Sequence, residues 1–387
     1  MTAKPEHLTD AVHRVVYRNE EAFSSHPFLG GLWRVANGDL VLAFMKADCR
    51  YISGGDVNHD RITMSRRQMC VIRSHDQGAS WDTDNLVPIF ETPEPATVDE
   101  GPLEPEAPFD MDSPDTIVAM GSSPALLVPD AKPWMRISTD GGWTWRRPFK
   151  LPMNHFASLS GHGSFVRRQD GMWLAALSAA SSDGWRRRAL LYGSWDGVDW
   201  NFLSWITPPV FDDEMDAPHA GTPRFWAQRY FYPRPICLRD GRIIVSVRSQ
   251  RDPTGALWTE IFESQDHGRT FRFLSRVNDW GAPGDLVELA DGRIVCVYGY
   301  RLKPYGIRGR ASSDGGRSWG SEFILRDDGG SWDLGYPRVI ELAPNRLFTV
   351  YYMNRADDPV KANGGVRHVA STEFLLPPVR DPEAFSP

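Results

Sequence analysis

One eight-residue pattern constrains the fold of this chain more than any other feature: Ser-x-Asp-x-Gly-x-x-aromatic. It occurs as SHDQGASW from Ser74 to Trp81, STDGGWTW from Ser138 to Trp145, SQDHGRTF from Ser264 to Phe271 and SSDGGRSW from Ser312 to Trp319. A shortened copy, SWDGVDW, runs from Ser194 to Trp200. Starts at 74, 138, 194, 264 and 312 leave intervals of 64, 56, 70 and 48 residues. An equal core at unequal intervals marks a repeated supersecondary unit whose loops vary in length. A phosphate-cradling loop would need a following helix and usually a lysine. A calcium loop would need several spaced oxygens and a closing glutamate, and the last copy offers only Asp314. A hairpin turn suits the chemistry. The Asp carboxylate accepts turn N–H groups, the Gly supplies a positive φ, and the aromatic ring is expected to bury against the next unit.

A second signal precedes the boxes, in which two apolar runs flank a short turn. It is seen in FLGGLWRVANGDLVLAF (28–44), GSFVRRQDGMWLAAL (163–177), YPRPICLRDGRIIVSV (232–247), GDLVELADGRIVCVY (284–298) and YPRVIELAPNRLFTVYY (336–352). Asn-Gly and Asp-Gly between apolar runs are strong hairpin signals. A weaker sixth member, DSPDTIVAM (112–120), leads into the box at Ser138. The predicted fold is all-β, a six-bladed β-propeller of four-stranded antiparallel blades forming one domain over residues 1–387. The last blade is one strand short, and HRVVYRN (13–19) is expected to close the ring. No segment sustains a 3.6-residue period, which excludes an α/β alternative.

Composition agrees: 15 Trp, 34 Gly and 30 Pro suit tight turns and large plugs between sheets. A net charge of −7 argues against nucleic-acid binding. No apolar run reaches membrane-span length, and MTAKPEHLTDAVHR lacks the apolar core of a signal peptide. Cys49, Cys70, Cys237 and Cys296 show neither close pairing nor metal spacing. Free thiols in a cytoplasmic protein are therefore expected. The ten histidines form no HxxxH or HxH pair, so neither a metal nor another cofactor is expected.

In a propeller the innermost strands start around a central channel, so residues just before them converge. That offset nominates His26, Asp112, His162, Tyr232 with Arg234, Asp285, and Tyr336 with Arg338. A pure scaffold would carry small or apolar residues there. Polar groups of mixed charge either bind something or pair among themselves.

The boxes, the blade count and the length together resemble the sialidase (neuraminidase) superfamily, whose turns of this kind are called Asp boxes. The resemblance spans nearly the whole chain and implies that the boxes sit on outer turns, away from the active site. It also implies a retaining exo-glycoside hydrolase with a tyrosine nucleophile, a glutamate activating it, an aspartate acid/base and three arginines on the substrate. By this resemblance DLGYPRVIEL places Tyr336 as nucleophile, DGRIIVSVRSQ offers Arg248 and YGIRGRASSDGG offers Arg308. ISGGDVNHDR offers Asp56 or Asp60 as acid/base. Two positions depart from the pattern: no arginine stands near Phe28, and no glutamate near Tyr232. Arg50 or Arg234 could replace the first, and Glu100, Glu104 or Asp285 the second. Arg338, two residues beyond Tyr336, shares its strand face and would lower the tyrosine pKa.

Plainer readings stand beside these. Tyr336 could only line a sugar pocket, the arginines could be rim ion pairs, and Asp60 could cap a loop. His162 could carry protons or be a satisfied channel histidine. SSDGWRRR (181–188) imitates a box without its aromatic and reads as a hairpin tip with a solvated basic run. The acidic, Pro-rich stretches at 91–108 and 212–218 read as loops. The expected partner is a small, imported, possibly anionic glycoside or oligosaccharide, with no nucleic acid or membrane involved. One rival is a uronate lyase using His162 with Tyr336 or Tyr232; another is a propeller that binds carbohydrate without turnover.

Overall fold

The computed structural model describes residues 4–52, 57, 67–92, 109–123, 130–180, 187–209, 229–250 and 257–376. Among these the helical elements are the four-residue helix Pro27–Gly30 and the 3-10 turn Ala362–Gly364; all other regular structure is strand. None of the described helices is long and apolar enough to cross a membrane. The protein is all-β, consistent with a propeller.

The strands fall into consecutive antiparallel groups. In the first, Ala22–Ser25 and Gly31–Arg34 both pair with Leu40–Asp48, followed by Arg67–Ser74 and Val87–Thr92. The second holds Ile117–Ser123, Lys132–Ser138 and Phe149–Lys150. Ser158–Arg167, Trp173–Ala180, Arg187–Ser194 and Asn201–Trp205 form the third. Arg229–Cys237, Ile243–Gln250, Leu257–Ser264 and Arg272–Arg276 form the fourth, joined to the third only through the parallel pairing of Arg187 with Arg229. The fifth comprises Gly281–Glu288, Ile294–Tyr300, Tyr305–Ser312 and Phe323–Gly329. In the last, Gly335–Ala343, Arg346–Met353 and His368–Leu375 are joined by Val12–Tyr17, antiparallel to His368–Leu375. The two-residue strand Glu6–His7 runs parallel to Phe323–Gly329, a pairing the sequence pattern did not announce.

Second strands are continuously apolar because both their faces are covered. Ala175 and Leu177 pack with Met120 and Met135 of the second group, while Leu174 and Ala176 pack with Val245 and Phe262 of the fourth. The other interfaces follow the same rule: Val41 with Ile117, Ile244 with Tyr298, and Val297 with Tyr351. Leu42 and Phe44 of the first group meet Phe348 and Val350 of the last.

The boxes are turns, and the serine has a role of its own. Ser312 Oγ donates to Asp314 Oδ1 at 2.8 Å and accepts the Gly316 N–H at 2.9 Å, while Asp314 Oδ1 also accepts the Ser318 N–H at 2.9 Å. Gly316 has φ 87°, a conformation a side chain would strain. The same bonds recur at Ser74, Ser138, Ser194 and Ser264. Each aromatic packs back on the preceding group rather than forward on the next: Trp81 stacks on Phe348, and Trp319 Nε1 donates to Ser275 Oγ at 3.0 Å.

A second repeat lies on the first strands. The ladder is interrupted between Gly161 and Ser164, Phe231 and Arg234, Gly281 and Gly284, and Gly335 and Arg338. The two residues thrown out of register are His162-Gly163, Tyr232-Pro233, Ala282-Pro283 and Tyr336-Pro337. His26-Pro27 occupies the break between the two short strands of the first group. Bulges of this kind re-aim a side chain out of the ladder.

Candidate functional site

The re-aimed side chains meet. Tyr336 packs against His26 with ring centres 4.5 Å apart and against Tyr232 at 5.3 Å; Tyr232 meets His162 edge-on at 5.1 Å. Phe28 touches both tyrosines from the helix Pro27–Gly30. His26, Tyr232 and Tyr336 hold φ of 57°, 52° and 50°. Bulky residues rarely adopt that region, and such strain persists where surrounding structure fixes it, typically at functional sites.

Arginines close around the rings. Arg248 Nη1 donates to Tyr336 Oη at 3.3 Å, and its guanidinium lies 5.7 Å from the Tyr232 ring centre. Burial, then the charge of Tyr336, pushes the Tyr232 phenol well above its ordinary range. Arg187 faces Tyr232; burial and the nearby Arg229 bring its guanidinium down to about 10, partly offset by Tyr232. Arg301 lies 5.5 Å from the ring centres of both Tyr336 and Trp332. Burial opposes its charge, but Tyr352, Tyr336 and Asp333 outweigh that and raise its pKa. Tyr352 donates to Asp333 Oδ1 at 2.6 Å, and the buried Arg367 holds Asp333 Oδ2 at 3.2 Å. Burial, with Arg187 adding to it, lowers His162 to about 3, so it is neutral at physiological pH. Its Nε2 meets Ser178 Oγ at 2.9 Å, while its buried Nδ1 has no hydrogen-bond partner among the described residues. Serine also orients His26, whose Nδ1 lies 2.5 Å from Ser25 Oγ.

Not every residue nominated from sequence joins this cluster. Arg234 donates Nε to Asp285 Oδ1 at 2.7 Å and Nη1 to the Gly163 carbonyl; Arg338 Nη1 lies 4.0 Å from the same carboxylate. Asp285 Oδ2 accepts the Val339 N–H at 2.8 Å. These three form an internal ion-pair group. Burial pushes the Asp285 carboxyl above its ordinary range even against the pull of Arg234, so the pairing offsets desolvation rather than exceeding it. Arg308 donates to Glu322 Oε2 at 2.7 Å and lies 3.3 Å from the Tyr300 ring centre. Asp112 takes Arg167 in an exposed pair, and Arg50 is exposed. Asp56, Asp60, Glu100 and Glu104 lie outside the described residues. Arg301, Tyr352 and Asp333 escaped the sequence reading, and Arg187, expected on a solvated basic run, is instead half-buried facing Tyr232. They lie away from the hairpin offset, which pointed to this face through His26, His162, Tyr232 and Tyr336.

Among the described residues no group of three or more His, Cys, Asp or Glu is disposed to hold a metal ion. The four cysteines are free thiols.

Several solved structures share the fold. A protein of unknown function from Dyadobacter fermentans superposes with a TM-score of 0.73 at 24% identity, covering 96% of this chain and all of that one. An α-L-arabinofuranosidase from Fusarium graminearum, in complex with an iminosugar inhibitor, gives 0.60 at 13% identity, covering 95% of this chain and 98% of that one. Trypanosoma rangeli sialidase, with 2,3-difluorosialic acid as a covalent intermediate, gives 0.59 at 13% identity. There 95% of this chain is matched against 59% of that chain. Identities this low establish a common fold, not a common reaction. No curated protein matches the chain. The family model described as BNR repeat-like domain matches residues 108–347, and the chain belongs to that family.

Proposed function

We propose that the six strand groups are the blades of one propeller domain over residues 1–387, closed by Val12–Tyr17 in the last blade, and that the protein is a retaining glycoside hydrolase. The observation that carries the reading is Arg248 on the oxygen of a buried, backbone-strained Tyr336, at the meeting point of several inner strands. A tyrosine of ordinary pKa near 10 is a poor nucleophile at neutral pH unless charge or donors favour its phenolate. Arg248 and Arg301 supply that positive field.

In the proposed first step Tyr336 Oη bonds to the anomeric carbon as the bond to the leaving oxygen breaks. Asp56 or Asp60 protonates that oxygen and then activates the water that releases the sugar. His26, whose ring packs on Tyr336, would take the phenolic proton in this scheme. Arg248 and Arg301 then face an anionic or hydroxyl-rich sugar, while Arg234, Arg338 and Asp285 hold strands in place. The arabinofuranosidase and sialidase named in the structural comparison support a glycosidase in general and leave the sugar open.

One observation favours a second reading. His162 and Tyr232 meet edge-on, the Tyr/His pairing that a uronate lyase would use. A panel of aryl glycosides, sialic and uronic acids included, separates the two. Aryl alcohol release by wild type, reduced at least 100-fold in Tyr336→Phe, is expected of the glycosidase; about that much follows from losing a positioned catalytic group. New ultraviolet absorbance on uronate oligosaccharides without aryl release would replace it with the lyase. Ligand binding with neither signal would leave a binding propeller.

A further inference from the structure

Tyr232 and Tyr336 are the same residue of two repeats. Each opens a Tyr-Pro-Arg triplet, each is displaced at a bulge on a first strand, and each has φ near +50°. The strand between them, Gly281–Glu288, carries Ala282-Pro283 at the matching bulge. The phenol rings of the fourth and sixth groups stand 5.3 Å apart.

The pair is also asymmetric. Arg248 Nη1 is directed at Tyr336 Oη, whereas the same guanidinium lies over the face of the Tyr232 ring. Arg301 adds its charge beside Tyr336. The departure noted in the sequence, no glutamate near Tyr232, gains a physical meaning here: a neutral donor stands where a base was expected.

We propose that Tyr232 is a positioning residue for Tyr336: its hydroxyl donates to Tyr336 Oη and, together with Arg248, forms a two-donor cradle that makes Tyr336 the phenol that ionises. Tyr232 keeps its own proton throughout, so no bond to it is made or broken. The first ionisation of the pair transfers the Tyr336 proton to solvent or His26 and leaves a phenolate bonded by one neutral and one cationic donor. The upward displacement of the Tyr232 phenol agrees with this order. The groups that face the pair are Arg248 from the fourth group, Arg187 and His162 from the third, Arg301 beyond the fifth group's second strand, His26 from the first, and Tyr352 with Asp333 from the sixth.

The inference rests on Tyr336 as the reacting phenol, yet its test needs no substrate. Ultraviolet difference titration of tyrosinate is compared among wild type, Tyr336→Phe, Tyr232→Phe and Tyr232→Met. The component lost in Tyr336→Phe is expected to be the earliest of the cluster. Losing one hydrogen bond to a charged oxygen should move it up by roughly one pH unit or more in Tyr232→Phe. Tyr232→Met, which also removes the hydroxyl but carries a smaller, more adaptable side chain, should move it the same way and covers the case in which Tyr232→Phe packs badly. An early component unmoved in both variants, or one that vanishes in Tyr232→Phe instead, overturns the proposal. If the shift stands while no glycoside is turned over, the cradle survives and the glycosidase reading fails. If a substrate is found, kcat should fall in Tyr232→Phe with KM little changed; a rise in KM alone would make Tyr232 a sugar contact and contradict the role.

Discussion

Tyr336 and Tyr232 sit where they do because a proline follows each and a bulge turns each out of its ladder. Their side chains are therefore fixed by backbone before any partner is considered. The buried carboxylate nearby illustrates a different economy. Asp285 lies between Arg234 and Arg338 and also takes the Val339 N–H, so two cations depend on one anion away from water. Replacing such a pair entirely by apolar groups can be neutral, but removing one member leaves charge uncompensated. Asp285→Ala is expected to lower unfolding free energy by about 3–5 kcal/mol, measured by denaturant titration. A loss below about 1 kcal/mol, the range of exposed pairs, would contradict the geometry. At this scale the sequence disclosed which residues stand at inner-strand starts, and the structure sorts them. His26, His162, Tyr232 and Tyr336 meet, while Arg234 and Arg338 gather as ion pairs on Asp285. The offset carries position only, and partner choice depends on contacts between strands far apart in the chain.

The Asp box was legible as an element because its chemistry is local. Serine, aspartate and glycine within five residues close their own hydrogen bonds, and no distant contact is needed to recognise them. The direction in which the aromatic packs was not local, and it came out opposite to expectation: the ring covers the preceding group. The Asp314 carboxyl is held at about 2; burial opposes ionisation, but the Ser318 and Ser312 hydroxyls and turn N–H groups outweigh it. Because the folded pKa lies below the ordinary value, the contribution is present above about pH 4 and fades as pH falls through about 2. Asp314→Ala should cost about 1 kcal/mol at neutral pH, near the low end for a solvent-screened turn. The gap between mutant and wild type in denaturation experiments should narrow between pH 4 and pH 2, and a gap independent of pH would contradict this account. The bulge repeat was equally present in the letters, as His-Pro, Tyr-Pro, Ala-Pro and Tyr-Pro before apolar runs. It is harder to read because one copy, His162-Gly163, lacks the proline.

At the scale of the molecule the candidate site belongs to no single unit. His26 comes from the first group, His162 and Arg187 from the third, Tyr232 and Arg248 from the fourth, and Tyr336, Tyr352 and Asp333 from the last group and the loop before it. Arg301 follows the second strand of the fifth. Five of the six groups contribute between one and three side chains, so the candidate site forms only when the first and last groups meet, as Leu42 and Phe348 do. This is why motif spacing could suggest the fold but could not supply Arg301 or Asp333, which lie in connections of irregular length. The central claim is that this shared centre acts through Tyr336 as a nucleophile. The most direct measurement is mass spectrometry after incubation with the 2-fluoro glycosyl fluoride of the best panel substrate, in which Tyr336 Oη would displace fluoride and hold the sugar. The account predicts one added fluorosugar on the peptide containing Tyr336, absent in Tyr336→Phe; a label on a carboxylate, or turnover with inverted product and no adduct, would contradict it.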